Sequence, residues 1–275
     1  MSHHRAASSL CDIMAIASSP RARSASRLAE MAMLLSSVSA RDVGYIAGEP
    51  LQPSTVCYRH IAASSHCTIG VFELGRDAAM PLHDHPGAVL SHVLGGAAEV
   101  VCFHLSPDAS VNLNDLGSAV PARFAGRARI GAGGAGGWIT HTHNNVHAFR
   151  SLEAPSEGGW SSGGGCAILD VVLPPYAGSR HDLTSQARAT SAVRSSVEDG
   201  LCTYFEMGES PQGEGTADAF ALMSEMGAPV LLRSLKRPPP EPLPAAKPPL
   251  AVAFELDVLL RSAELTGTGR GQQMR

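Results

Sequence analysis

A series of short apolar runs most constrains the fold of this chain. After Pro53 these runs are rich in β-branched residues, and Gly, Pro, Asn or Asp residues separate them, as is typical of strands joined by turns. They fall at residues 55–61, 67–74, 88–94, 98–105, 146–152, 166–173 and 202–207. Because no helical pattern separates the runs, we expect antiparallel strands in a sandwich, a barrel or a jelly roll that encloses a site.

The segments on either side of the predicted strands have other patterns. Residues 26–38 carry apolar side chains at helical spacing, which predicts an amphipathic helix packed on a larger body. These side chains are Leu28, Met31, Leu35 and Val38. The sequence therefore predicts an N-terminal helical extension at 1–50, a β domain at 51–236 with a Ser/Ala/Arg-rich surface insertion at 183–201, and a Pro-rich tail with a short helical pattern at 237–275.

Composition and charge exclude several classes of partner. Lys and Arg number 21 against 25 Asp and Glu, a net charge of −4, so no basic surface is predicted to attract nucleic acid or anionic lipid. No apolar run approaches the roughly 20 residues that span a bilayer. The first residues lack the apolar core of a secretory signal, so we expect an intracellular protein. A cytoplasmic location is predicted, with the nucleus as an additional alternative. The composition of residues 1–29 leaves a transit peptide as a minor alternative.

The six cysteines favour reduced thiols. They lie in apolar segments and form no C-x-x-C pair, which argues against a disulfide framework or a zinc knuckle. They are Cys11, Cys57, Cys67, Cys102, Cys166 and Cys202.

The segment MPLHDHPG carries the most informative histidines. His83 and His85 are two apart, a spacing that on a strand directs both imidazoles to one face, where they can bind one metal ion. Pro81 before the pair and Pro86-Gly87 after it restrict the backbone and reduce the entropy lost when the ion binds. A lone H-x-H pair is a weak signal, and its position between a strand and a loop strengthens it.

A third metal ligand must come from elsewhere, and His141, His143 and His147 are the candidates. His147 is favoured because it lies within the strand-like run VHAFRSL. His141 and His143 precede the Asn144-Asn145 turn and are expected to be solvated loop residues. The predicted site therefore consists of the H-x-H pair and His147.

The predicted site offers only neutral imidazoles. In many cupins a Glu ligand follows an H-x-H pair by four or five positions, and here Val89 and Leu90 occupy those positions. An ion held by imidazoles alone keeps its full charge and several open positions, a variant of the ferrous facial triad that favours a thiolate and dioxygen. A structural zinc site fits less well because it normally has four ligands, with cysteine among them.

Several motifs resemble those of the plant cysteine oxidase and cysteamine (2-aminoethanethiol) dioxygenase family. They are DVGY at 42–45, TIGVFEL at 68–74, MPLHDHPG at 80–87, NVHAF at 145–149, CAILDVVLPPY at 166–176 and CTYF at 202–205. The resemblance implies an all-β cupin-type double-stranded β-helix, a jelly-roll barrel, with the N-terminal helical extension and Pro-rich C-terminal tail described above. It also implies an Fe²⁺-dependent dioxygenase that converts a thiol to a sulfinic acid, with its ligands falling on His83, His85 and His147.

The resemblance also suggests the substrate. It implies that dioxygen oxidises the N-terminal cysteine of proteins or peptides and so marks them for degradation, which makes the chain an oxygen sensor. A free cysteine carboxylate inside a barrel would need a cationic partner, and no arginine is clearly dedicated to one. Arg150, for example, alternates to the face opposite His147. Cysteamine, which lacks a carboxylate, is the second substrate candidate. The protein is predicted to be a monomer.

Two further residues are candidates for catalysis. Asp170 lies in an apolar run on the same face as Ile168 and Val172, where a carboxylate needs a partner. We interpret it as a residue that orients a histidine ligand or holds the substrate amine, with a structural hydrogen bond as the alternative. Tyr176 is expected to donate its hydroxyl toward dioxygen or substrate, unless its Pro-Pro-Tyr corner serves only packing.

Three other hypotheses stay open. Cys202 and Tyr204, two apart on a predicted strand, are either the two halves of a thioether cross-link or two buried side chains. The chain could also be a metal-binding barrel without turnover. A metal-dependent sugar or keto-acid isomerase on the same barrel would need neither dioxygen nor thiol.

Overall fold

The structure of the chain is a computed structural model. It describes residues 2–45, 51–85, 87–106, 117, 119–132, 145–152, 165–175, 203–208, 219–221, 229–235 and 245–246. Within these residues two helices, α1 (Ser2–Ala17) and α2 (Ala25–Ser36), precede ten strands. The strands are β1 (Val56–Ala63), β2 (Thr68–Leu74), β3 (Ala79–His83), β4 (Ala88–Leu105), β5 (Ala119–Gly131), β6 (Asn145–Leu152), β7 (Cys166–Leu173), β8 (Phe205–Met207), β9 (Pro229–Ser234) and β10 (Ala245–Ala246).

One long strand, β4, belongs to two sheets. Its first half pairs with β7, and its second half pairs with both β5 and β6. Residues 88–94 and 98–105, predicted as two strands, are therefore one strand, and that prediction was wrong. The glycines that suggested a break form a bulge instead, with a register shift between Val93 and Gly95 and a φ of 73° at Gly96. Glycine tolerates this backbone, so the strand bends from one sheet into the other without ending.

The sheets curl around a common interior. The strand order is β10-β1-β2-β7-β4-β5-β9-β8, with β6 beside β4 and β3 beside β6. The described pairs are antiparallel except for β1 with β10. Side chains of both sheets meet in one interior cluster of Leu74, Ala78, Met80, Val93, Ala98, Val100, Phe149, Cys166 and Ile168. This arrangement is the cupin-type double-stranded β-helix, and the predicted fold class is confirmed.

The two helices cover the outer face of the β1-β2-β7-β4 sheet. The apolar residues that predicted α2 are buried, and they pack in one cluster with Ile69, Val71, Leu169 and Val171 of the sheet. α1 lies within the helical extension predicted at 1–50, but the sequence pattern located only the helix at 26–38. The buried α1 residues Leu10, Ile13, Met14 and Ala17 have helical spacing, a signal concealed by the Ser, Ala and Arg residues around them.

Four strands were not predicted, namely β3, β5, β9 and the two-residue β10. β3 has only five residues and contains Pro81, which the strand tolerates because Pro81 lies in the register irregularity between Met80 and His83, where β3 has no described partner on β6. β5 is rich in Ala, Gly and Arg, yet its buried residues Val120, Ala122 and Phe124 alternate with exposed ones, as strands require. The predicted strand at 202–207 is shorter than expected, because β8 begins at Phe205.

Several predictions lie outside the described residues. These concern His141, His143, Tyr176, Cys202, the insertion at 183–201 and the helical pattern in the tail. Of the predicted tail, the structure describes Ala245–Ala246, which pair with β1. The domain boundaries therefore stay predictions.

Two further observations concern the described part of the chain. Its five cysteines form no disulfide. Within the same part, no helix is long and apolar enough to cross a membrane.

Candidate metal centre

Three histidines converge inside the barrel. His83 and His147 lie directly opposite each other on β3 and β6, and His85 follows two residues after the end of β3. The ring centroids are 4.5 Å apart for His83 and His147, 4.7 Å for His83 and His85, and 5.2 Å for His85 and His147. One potential ligand atom from each residue lies within 4.8 Å of the others. Three imidazoles at these distances can close on one metal ion.

His83 has the protonation state that a metal requires. Its Nδ1 lies 2.7 Å from the carbonyl oxygen of Pro81, which can only accept, so Nδ1 carries the proton and Nε2 keeps its lone pair. Burial lowers the pKa of His83, with the hydrogen bond to Pro81 acting in the opposite direction. The imidazole is therefore neutral near pH 7, as metal binding requires.

An aromatic ring and a thiol flank His147. Phe149 contacts the His147 ring edge-on, with centroids 5.3 Å apart. Cys102 on β4 is directly opposite His147, and burial raises the pKa of its thiol to about 11. Cys102 is thus protonated at neutral pH and a poor competitor for the ion. The donor set in the described residues therefore fits a metal ion with open coordination positions better than a closed, four-ligand structural zinc site.

Asp170 points into the same interior. Ile168, on the same face of β7, belongs to the interior cluster, as the predicted alternation requires. Burial raises the pKa of the Asp170 carboxyl to about 7, with the hydrogen bond from Ser91 acting in the opposite direction. Its Oδ1 is buried and has no hydrogen-bond partner among the described residues. A buried carboxyl oxygen in this state is a place for a ligand or a water molecule to bind. Tyr176 lies outside the described residues.

Tyr58 lies beside Asp170 and was missed in the sequence. A side-chain carbon at Gly70 would lie 2.5 Å from Cε2 and 2.6 Å from Cζ of Tyr58, so the tyrosine ring fills the space above this glycine. Gly70 is directly opposite Asp170, and facing side chains of antiparallel strands begin about 5 Å apart. Burial and then the Asp170 charge raise the pKa of Tyr58. A glycine within the strand run TIGVFEL was the available signal, because it often marks such a close approach.

Asp84, between the two histidines of the H-x-H pair, was also missed. Its Oδ1 accepts the backbone N–H of Thr203 at 2.9 Å. Burial raises the pKa of Asp84 to about 6, with the hydrogen bonds from Thr203 acting in the opposite direction. No local sequence pattern reports this contact, because its partners are 119 residues apart.

Two arginines near the barrel strands are engaged with acids. Arg150 donates to Glu99 at 2.6 Å and lies 4.5 Å from the centroid of the Phe220 ring. Arg59 pairs with the buried Glu73. These contacts agree with the prediction that Arg150 faces away from His147.

The chain is similar in sequence to known proteins. The family model PCO_ADO matches residues 27–186. The chain is 28% identical over 152 residues to a probable 2-aminoethanethiol dioxygenase of Dictyostelium discoideum, covering 54% of this chain and 62% of that protein. It is 26% identical over 147 residues to the human 2-aminoethanethiol dioxygenase, covering 46% and 51%. For plant cysteine oxidase 1 of Arabidopsis thaliana the identity is 26% over 125 residues, covering 44% and 37%.

Solved structures with similarity to the chain include cupins. An RmlC-like cupin from Desulfovibrio desulfuricans is 18% identical with a TM-score of 0.28, covering 46% of this chain and 92% of that one. An RmlC-like cupin with a double-stranded β-helix fold from Methanocaldococcus jannaschii is 12% identical with a TM-score of 0.28, covering 47% and 89%. The fold assignment rests on the sheet topology of the chain itself.

Proposed function

Because the chain belongs to the PCO_ADO family, we propose that it is a mononuclear iron thiol dioxygenase in which His83, His85 and His147 hold a ferrous ion. The convergence of three imidazoles in the barrel interior is the observation that carries this proposal. The reaction combines a cysteine thiol with dioxygen, and both oxygen atoms end on sulfur as a sulfinic acid.

The residues around the histidines have defined tasks in this proposal. A ferrous ion supplies Lewis acidity that lowers the pKa of a thiol, together with the redox chemistry that dioxygen needs. The Pro81 carbonyl holds the His83 ring in the ligand tautomer. The buried Phe149 ring excludes water from the side of His147.

Asp170 is proposed to hold the substrate amine. Its partnerless Oδ1 and its pKa of about 7 leave the carboxyl ready to ionise when a cation arrives. A substrate ammonium would supply the missing hydrogen bonds and favour the charged carboxylate, while Ser91 holds it in place. Tyr176 is proposed to donate its hydroxyl toward dioxygen or substrate.

The proposed substrate is the N-terminal cysteine of a protein or peptide. Such a substrate presents a thiol and an amine and has no carboxylate to be neutralised inside the barrel. The ion pairs of Arg59 and Arg150 support this choice, because they engage both side chains elsewhere. In the cell, cytoplasmic or nuclear, such a reaction would mark proteins for degradation only when dioxygen is present. We propose a monomer with no nucleic-acid or membrane partner.

Cysteamine is the second candidate substrate. Two of the similar proteins carry the name 2-aminoethanethiol dioxygenase, and the chain spans 62% and 51% of their lengths. Cysteamine offers the same thiol and amine and also lacks a carboxylate.

The test compares four thiols with the iron-loaded protein. A peptide with N-terminal cysteine, its N-acetylated form, cysteamine and free cysteine are incubated with isotope-labelled dioxygen, and mass spectrometry follows the gain of two labelled oxygen atoms. We expect the free-amine peptide to have far higher kcat/KM than free cysteine, acetylation to abolish most turnover, and product to be absent without dioxygen. Equal or better efficiency on free cysteine contradicts the substrate assignment. Metal binding without oxidation of any thiol contradicts the dioxygenase and favours a binding-only barrel or an isomerase.

A further inference from the structure

Asp84 and Thr203 hold each other by reciprocal hydrogen bonds. The Thr203 N–H donates to Asp84 Oδ1 at 2.9 Å, and the Asp84 N–H donates to the Thr203 carbonyl oxygen at 3.0 Å. The Thr203 side chain also bonds to the Asp84 carboxylate. Thr203 is buried, so these bonds lie in a setting where an unsatisfied group would be costly.

These bonds attach the segment 203–207, which contains β8, to the loop that carries Asp84 and His85. His83 and Tyr204 form a bridge next to the Asp84–Thr203 pair. On its other side the segment is held by Leu235, whose N–H donates to the Tyr204 carbonyl oxygen at 2.8 Å. The segment 203–207 is thus attached both to β9 and to the H-x-H pair.

The two histidines of the pair differ in how the fold holds them. His83 belongs to β3, and its position is fixed by pairing with His147 and by its hydrogen bond to Pro81. His85 lies beyond the end of β3, in the short loop that leads to Gly87. The far end of this loop packs closely, since a side-chain carbon at Gly87 would lie 2.5 Å from Cδ of Pro174.

We propose that Asp84 is a positioning residue that fixes the His85 imidazole for metal binding by anchoring the near end of this loop to Thr203. The inference rests on the proposed metal centre and is independent of the substrate. It also explains why the aspartate is not itself a ligand: its Oδ1 is occupied by the Thr203 N–H, and the ligand group found in the described residues contains the three histidines alone.

The test measures Co²⁺ affinity of the full-length chain, with visible absorption as the signal for coordination geometry. Asp84→Ala should weaken Co²⁺ binding by ~10–100-fold and change the absorption spectrum, in the range of changes to residues that orient metal ligands. Asp84→Asn keeps an Oδ1 acceptor and should stay much closer to wild type. Asp77→Ala is the matched control, because Asp77 is an exposed acid near β3, and it should bind like wild type.

Two further measurements separate positioning from general stability. Thermal unfolding of the metal-free variants shows whether the fold itself has changed, and amide hydrogen exchange shows whether residues 203–207 have lost protection. If Asp84→Ala fails to fold, Thr203→Val tests the positioning role instead, because it removes the Thr203 hydroxyl and keeps the backbone N–H. We expect this variant to show a smaller loss of Co²⁺ affinity with little change in unfolding temperature.

The possible failures are distinct. Absence of Co²⁺ binding by the wild type would refute the metal centre. Normal binding and an unchanged spectrum in folded Asp84→Ala, or in Thr203→Val if Asp84→Ala does not fold, would overturn the positioning role while the metal centre stands. Equal losses in Asp84→Ala and Asp77→Ala would also overturn it, because they would indicate a general effect of charge.

Discussion

The two faces of the β1-β2-β7-β4 sheet are built from the same strands and serve different ends. On the outer face, Leu169 and Val171 of β7 pack with the N-terminal helices in a continuous apolar cluster. On the inner face, the same strand presents Asp170, which is buried and has an oxygen without a partner among the described residues. Side chains alternate along a strand, so Leu169 and Val171 face the helices and stabilise the fold. Asp170 between them faces the barrel interior and does not. The outer face is a continuous apolar contact, whereas the inner face combines an apolar cluster with a reactive group that reduces stability.

The largest expected effect of a change inside the barrel is loss of the metal ion. Replacing His83, His85 or His147 by Ala should each abolish iron binding and activity, because two imidazoles rarely retain a ferrous ion at working concentrations. Iron content and thiol-dependent dioxygen uptake measure the result. The exposed His104 is the matched control, and His141→Ala and His143→Ala should also retain iron. If His143→Ala emptied the site while His147→Ala kept its metal, the assignment of the third ligand would be wrong.

An outer-face change should have the opposite signature. Leu169→Ala should lower the free energy of unfolding by ~2–5 kcal/mol, because it leaves a cavity against the helices. The folded variant should still bind Co²⁺ like wild type. Urea unfolding of the metal-free protein measures the loss, with the exposed Met33→Ala as a control that should change stability by less than ~0.5 kcal/mol. A loss of metal affinity in folded Leu169→Ala would show that the two faces are coupled.

Asp170→Asn tests the inner face of the same strand. Iron should stay bound while turnover falls by ~10–100-fold, because the carboxylate that receives the amine is gone. Steady-state kinetics with an N-terminal-cysteine peptide measures the change. Turnover near the wild-type value would reduce Asp170 to a structural residue.

The same variant has a predicted pH signature. Burial raises the pKa of Asp170 from its ordinary 3.8 to about 7, so between these pH values the folded protein keeps a proton that the unfolded chain has released. The contribution of Asp170 to stability therefore falls as the pH rises from about 4 to about 7. Asn does not ionise, so its burial carries no cost for a buried charge. The metal-free Asp170→Asn variant should therefore be more stable than wild type above pH 7, and the difference should vanish below pH 4. Urea unfolding across this range would show a constant difference if the carboxyl were not responsible.

The smallest expected effect concerns Gly70, which lies against the ring of Tyr58. Gly70→Ala should destabilise the protein by ~1–3 kcal/mol and reduce turnover, because the new methyl group displaces the ring of Tyr58 from its place beside Asp170. In a Tyr58→Ala background the same substitution should cost little, because the space is then empty. A double-mutant cycle of unfolding free energies measures this coupling. Additive effects would contradict the close approach of the two residues.

Local patterns predicted the three-histidine cluster, and they missed residues whose partners are remote. The H-x-H spacing and the strand-like run around His147 are local features, and Asp170 stood out as a charge in an apolar run. By contrast, the residues around Asp84 do not indicate its contact with Thr203, and those around Tyr58 do not indicate its proximity to Asp170. Both contacts depend on the register between strands that are distant in the sequence. The strands followed the same rule: β2 and β7 were evident from composition, whereas β5, rich in Ala, Gly and Arg, owes its form to pairing with β4 and β9.

Because β4 belongs to both sheets, the topology of the chain affects how fast it folds. A hairpin such as β1–β2 closes locally, but the pairs that enclose the histidines join β3 to β6, β4 to β7, and Asp84 to Thr203 across 119 residues. Each of these closures must overcome chain entropy before its contacts form, so contact order predicts slow folding. The metal pocket is then expected to be completed late, so that a metal ion would bind to a nearly finished barrel and would not nucleate its folding.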